Sequence, residues 1–143
     1  MRHFIALVLS AILLPCCGQK ESSANNDAEE ASTGWPTTRK TQDGSFAVTV
    51  KPLAGEIVEN EHFSLDVTIA GENATTKPLQ VKVDADMPAH QHGMNTQPEI
   101  SAKGDLRYQV DGMLFHMAGE WVITVDVTRD GKTERASFPV QVE

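Results

Sequence analysis

Two thioethers and two imidazoles fall within eight residues of the stretch "DADMPAHQHGMNTQPE" (84–99): Met87, His90, His92 and Met94, with Pro88 and Gly93 among them. Thioether sulfur and imidazole nitrogen are the protein donors suited to copper where thiolate is missing. Met favours Cu(I), and imidazole accepts both oxidation states. Zinc would recruit Cys or carboxylate beside His, and hard cations would want an oxygen cage. His90 and His92 are two apart, so locally extended backbone would send both rings to one side. The bland alternative is a polar loop that happens to contain histidines.

A second cluster follows in "GMLFHMAGEW" (112–121). If 113–117 is strictly extended, Met113, Phe115 and Met117 share one face, while Leu114 and His116 share the other. One regular strand therefore cannot aim both His116 and Met117 at one ion. Either a bulge re-aims one of them, or only one is a ligand. Met113 beside Phe115 reads as core filling. His116 stays open between ligand and surface imidazole, and Met117 between ligand and packing against Trp121 and Phe115. His62, in "ENEHF", has no ligand-like neighbours and reads as exposed.

The elements that must position these donors have a period of two. Phe46, Val48 and Val50 alternate with polar residues, as do Phe63 to Ile69 and Leu79 to Val83. Such runs are half-buried strands. Tyr108 and Val110 suggest a short strand ending at Asp111-Gly112, and Leu114 to Met117 another. Trp121, Ile123, Val125 and Val127 line one face of the longest strand. Asp130-Gly131 then marks a hairpin, and Ala136 to Val142 closes the pattern. No segment has a helical period. About seven short strands predict an all-β fold, an antiparallel sandwich of immunoglobulin-like type with Trp121 between the sheets. The longest stretch without a strand pattern, Ala85 to Pro98, carries the first cluster, and long loops in small domains tend to be functional.

The first forty residues read as export and anchoring. Arg2 and His3 precede an apolar run, 4–15, too short to span a bilayer of roughly 30 Å. Leu14-Pro15-Cys16-Cys17 resembles a bacterial lipobox, which makes 1–16 a signal peptide and Cys17 the lipidated residue; Cys16 fits less well, and an ordinary cleaved signal is the alternative. Residues 17–43 would be the lipidated cysteine and a disordered tether, and 44–143 the sandwich. Gly18 lacks the Asp associated with inner-membrane retention, which leans towards the outer membrane, with the domain facing the periplasm. Cys16 and Cys17 are the only cysteines, so the domain has no disulfide, no Cys-ligated zinc and no blue-copper centre. A formal charge of −8 argues against nucleic acid or an anionic lipid surface as partner. The chain shows no nucleophile elbow, phosphate loop or paired carboxylates in an apolar setting. No enzyme is expected.

"MPAHQHGM" followed by "FHMAGEW" resembles the YtkA-like, or FixH-like, family of small exported β-sandwich domains. The matches are Met87-Pro88, His92-Gly93-Met94, Pro98, Tyr108, Gly112, Phe115, His116, Met117, Gly119 and Trp121. Gln91 departs from the pattern, standing where a small residue, often Gly, is usual. The resemblance implies an immunoglobulin-like fold and a role in copper handling or in the assembly of respiratory oxidases. The combined expectation is a monomeric, lipid-anchored envelope protein that binds one copper ion through Met87, His90, His92 and Met94, with His116 or Met117 completing the set. Its partner would be a copper-accepting or oxidase-assembly protein. The rival is a metal-free sandwich that binds a protein of the envelope.

Overall fold

The period-two pattern is realised as two antiparallel sheets packed face to face, seen in a computed structural model that describes residues 34–72, 74 and 78–143. In chain order the strands are β1 (Thr37–Lys40), β2 (Phe46–Pro52), β3 (His62–Gly71), β4 (Gln80–Met87), β5 (His92–Gly93), β6 (Glu99–Gly104), β7 (Arg107–Leu114), β8 (Gly119–Arg129) and β9 (Lys132–Val142). A 3-10 turn, Pro88–His90, lies between β4 and β5. One sheet has the order β1-β2-β3-β7-β6 and the other β5-β4-β8-β9. The expected signal peptide, Cys17 and the tether as far as residue 33 lie outside the described residues. Among the described residues no helix is long and apolar enough to cross a membrane.

Every second side chain of a strand points into the space between the sheets. Phe46, Val48 and Val50 of β2 and Phe63, Leu65, Val67 and Ile69 of β3 meet Trp121, Ile123, Val125 and Val127 of β8 there, with Phe138 and Val140 of β9. A one-residue slip of β8 would turn its four core residues outward, at a cost of roughly 8 kcal/mol or more from lost burial. That cost fixes its register against β4 and β9.

Among the described residues nine strands stand where the sequence reading expects about seven, and the differences have local causes. β1 lies inside the stretch assigned to the tether; its residues, Thr-Thr-Arg-Lys, offer no apolar alternation, and the strand is held by backbone pairing with β2. β6 is equally silent, since only Ile100 of it packs on the core. The expected stop at Asp111-Gly112 is a bulge. Phe63 pairs with Met113 and Leu65 with Val110, so three steps on β7 oppose two on β3. Gly112, at φ +85°, takes the left-handed conformation this needs. The extra residue shifts the alternation, so Val110 and Met113 are both buried and β7 continues to Leu114. The strand expected over 114–117 is therefore the end of β7 and the irregular segment 115–118, which crosses from one sheet to the other.

Two contacts outside the strands matter below. Trp35 packs against the core in a groove with Ile57, Val58 and Val140. Val140 pairs with Trp121, and the Asn60 N–H bonds the Phe115 carbonyl at 2.8 Å, so this groove is at the start of β8. At the opposite end Glu134 of β9 is 5% exposed and accepts the Thr41 hydroxyl at 2.7 Å, with Lys132 Nζ at 3.3 Å. The Thr41 hydroxyl in turn accepts the Phe46 N–H at 3.1 Å, so one carboxylate ties the β1–β2 turn to the other sheet.

The Thr41 bond, with those of Ser45 and Lys132, outweighs burial and lowers the Glu134 carboxyl to about 2. A depressed carboxyl stabilises the fold fully above its unfolded value and loses that contribution as pH falls towards the folded one. Glu134→Gln is expected to lower stability at pH 7 by about 1.5–3 kcal/mol, the range for hydrogen bonds to a charged group. The gap between wild type and variant should close as pH falls from 5 towards 2. Urea unfolding at pH 7, 4 and 2.5 measures it, and a gap that does not vary with pH would contradict the linkage.

Candidate metal centre

β4 ends at Met87, where Pro88 starts the 3-10 turn, its ring presetting φ for a tight turn. The turn ends at Gln91, in the left-handed region with φ 55° and ψ 38°, and the Gln91 N–H donates to the Pro88 carbonyl at 3.3 Å. The chain then folds back on β4. Met87 pairs with His92 and Asp86 with Gly93, and the Met94 N–H reaches the Ala85 carbonyl at 3.2 Å. A Cβ on Gly93 would stand 3.0 Å from Asp86 Oδ1 and 3.2 Å from the Ala85 carbonyl, so glycine permits this close return. Ala85 to Met87 are thus strand, and the expected long loop begins only at Pro88. Nor is the backbone between the two histidines extended. A 3-10 turn and one left-handed residue bring their rings to 5.8 Å between centroids.

His116, from the crossing segment 115–118, places its ring 5.1 Å from that of His92. With metal–nitrogen bonds of about 2 Å and a ring radius near 1.1 Å, two imidazoles on one ion set their centroids roughly 4.5–6.3 Å apart, for bond angles from square to linear. Both observed spacings fall in that window. His92 Nδ1 lies 3.2 Å from the Gly93 carbonyl. A carbonyl can only accept, so Nδ1 is the donor in this contact and Nε2 is the nitrogen left to face a ligand, the arrangement usual for a metal-binding histidine. His116 Nδ1 is buried with no hydrogen-bond partner. Leaving such an atom unpaired costs about 1–3 kcal/mol, and an ion would supply the missing partner.

The methionines divide. Met113 is fully buried in the core, as its position beside Phe115 suggests. Met87 is also buried, at 1% exposure, and its methyl rests against Gly119 at the start of β8. Met94 and Met117 are half-buried, packed on the core from the two segments that carry the histidines. The Met117 carbonyl accepts the Trp121 indole N–H at 2.9 Å. His62 is exposed on β3. His92 is therefore the centre of two histidine contacts, with His90 and with His116; Met94 and Met117 lie beside them in the chain, and Met87 is directed inward. Among the described residues no three His, Cys, Asp or Glu side chains form a ready-made metal cluster. An ion here would need thioether sulfur beside imidazole nitrogen, which fits a soft ion with few ligands better than zinc or a hard cation.

The sequence reading treats Trp121 as core alone, and its burial is complete. Its ring also meets both His92, at 5.9 Å, and His116, at 5.4 Å, in T-shaped geometry. The signal available was its place in the same motif, five residues after His116.

Two backbone positions should respond in opposite ways. Gly119 has φ +127°, and a Cβ there would run into the Met87 methyl. Gly119→Ala is expected to cost about 2–4 kcal/mol through strain and overpacking. Gln91→Gly relieves a left-handed residue while loosening the unfolded chain, so its net change should stay within about 1 kcal/mol. Urea midpoints of both variants test the pair; equal costs would show that these backbone conformations do not control stability.

No curated protein matches the chain. The family model described as YtkA-like matches residues 38–126, from β1 through most of β8, a span that includes His90, His92, His116 and Trp121. It covers more than half of the 143 residues, so the chain belongs to the YtkA-like family.

Proposed function

We propose that this YtkA-like domain binds one copper ion and transfers or buffers it, supplying a copper-accepting or oxidase-assembly protein of the bacterial envelope. The observation that carries the reading is the contact of His92 with His116, from separate segments, with His116 Nδ1 buried and without a hydrogen-bond partner. His90 lies on the exposed side of His92 and is the residue through which an ion could enter or leave. Met94 and Met117 are the half-buried thioethers and would favour Cu(I), whereas Met87 would have to leave the core to join them. The reading includes no redox catalysis. It takes Cys17 as the lipid anchor, with the domain in the periplasm, favouring the outer membrane; a monomer suffices.

Native mass spectrometry of the purified protein with Cu(I) and with Cu(II) tests the proposal beside a His90→Ala/His92→Ala variant. One retained copper per chain in the wild type and loss of at least 90% of that occupancy in the variant are expected. Copper kept equally well by the variant would remove the histidine assignment. A wild type that retains none would leave the protein-binding module as the better account of the domain.

A further inference from the structure

Trp121 touches both His92 and His116 of the candidate site described above. Phe115 stacks on its ring, centroids 4.6 Å apart and planes within 8°. His92 and His116 meet the same ring in T-shaped geometry, and its N–H holds the Met117 carbonyl. A fully buried indole fixed by a stack and a hydrogen bond cannot easily reorient. Imidazoles resting on it inherit that rigidity. An ion held between His92 and His116 would also lie close to an electron-rich π system, and tryptophan is the best of the aromatic side chains for attracting a cation.

We infer that Trp121 is a working part of the metal site: it positions His92 and His116 and lends its indole π system to a soft monovalent ion. The inference rests on the copper reading and deepens it by naming the charge state of the ion the site selects. A monovalent ion with few ligands can keep such a contact. A divalent ion that demands a full shell of nitrogen and oxygen donors gains little from it.

The chain has two tryptophans, so Trp35→Phe leaves Trp121 as the sole indole emitter. Silver(I) serves as the probe, being closed-shell, monovalent and free of absorption that could drain the excited state from a distance. In the Trp35→Phe protein, Ag(I) should quench Trp121 emission and saturate at one equivalent, and the additional His92→Ala change should abolish the effect. Separately, Trp121→Phe should weaken Ag(I) binding by about three- to thirtyfold, the range expected for a lost cation–π contact. Trp121→Leu should weaken it further.

One Ag(I) bound by native mass spectrometry with unaltered Trp121 emission would overturn the inference and leave the metal site standing. So would a Trp121→Phe protein of unchanged affinity. If no Ag(I) or Cu(I) binds at all, the copper reading falls and this inference with it. Should the Trp121 variants fail to fold, the emission of the Trp35→Phe protein still decides.

Discussion

The stack of Phe115 on Trp121 joins the two sheets at the point where the chain passes between them. Phe115 follows the last residue of β7 in one sheet, and Trp121 lies three residues into β8 in the other. Both are fully buried, so the four residues of the crossing have little freedom in where they stand. His116 and Met117 are in that crossing. Gly119, whose backbone conformation strains any side chain and whose free face receives the Met87 methyl, follows at once. An aromatic pair of this kind adds about 0.5–1.5 kcal/mol beyond its area burial. Its larger effect is geometric, because it decides that a histidine from β7's exit meets one from β4's hairpin.

The chemistry of the site follows from what the domain lacks as much as from what it holds. Without cysteine after residue 17, the soft donors are thioethers, which stay neutral and cannot form disulfides. One imidazole is set by backbone bonding and the other is buried without a partner. The Gly93 carbonyl fixes the tautomer of His92, and the burial of His116 Nδ1 leaves it in want of a partner. Neither feature needs an ion to form, so the pair is preorganised.

Strands with an apolar face were legible in the sequence. β2, β3, β8 and β9 stand where Phe46, Phe63, Trp121 and Ala136 begin their alternations, because burial of one face is what stabilises them. β1 and β6 were not legible, since backbone pairing with a neighbour holds them and leaves little mark on residue type. The bulge at Gly112 read as a stop for the same reason, a glycine being the common sign of both. In the site, the residue types of both motifs could be read, but not their meeting: the contact of His92 with His116 depends on which strand of each sheet lies across from which. Gln91 shows the limit from the other side. The resemblance implies a small residue there, and the left-handed backbone that explains it appears only in the structure.

Trp35 gives the molecule a direction. It packs in a groove against Val140, which pairs with Trp121, so the polypeptide before Gly34 joins the domain at the end that carries the histidines. An anchor at Cys17 would lie seventeen residues from Gly34 (34 − 17 = 17). That many residues span at most about 60 Å when fully extended. Under the anchoring proposed above, the domain would stay within that distance of the bilayer, joined to it from the histidine end. A receiving protein embedded in the same membrane would then meet the site at an effective concentration of the order of millimolar. Exchange would then depend on shared surface, and would need little affinity between the two proteins.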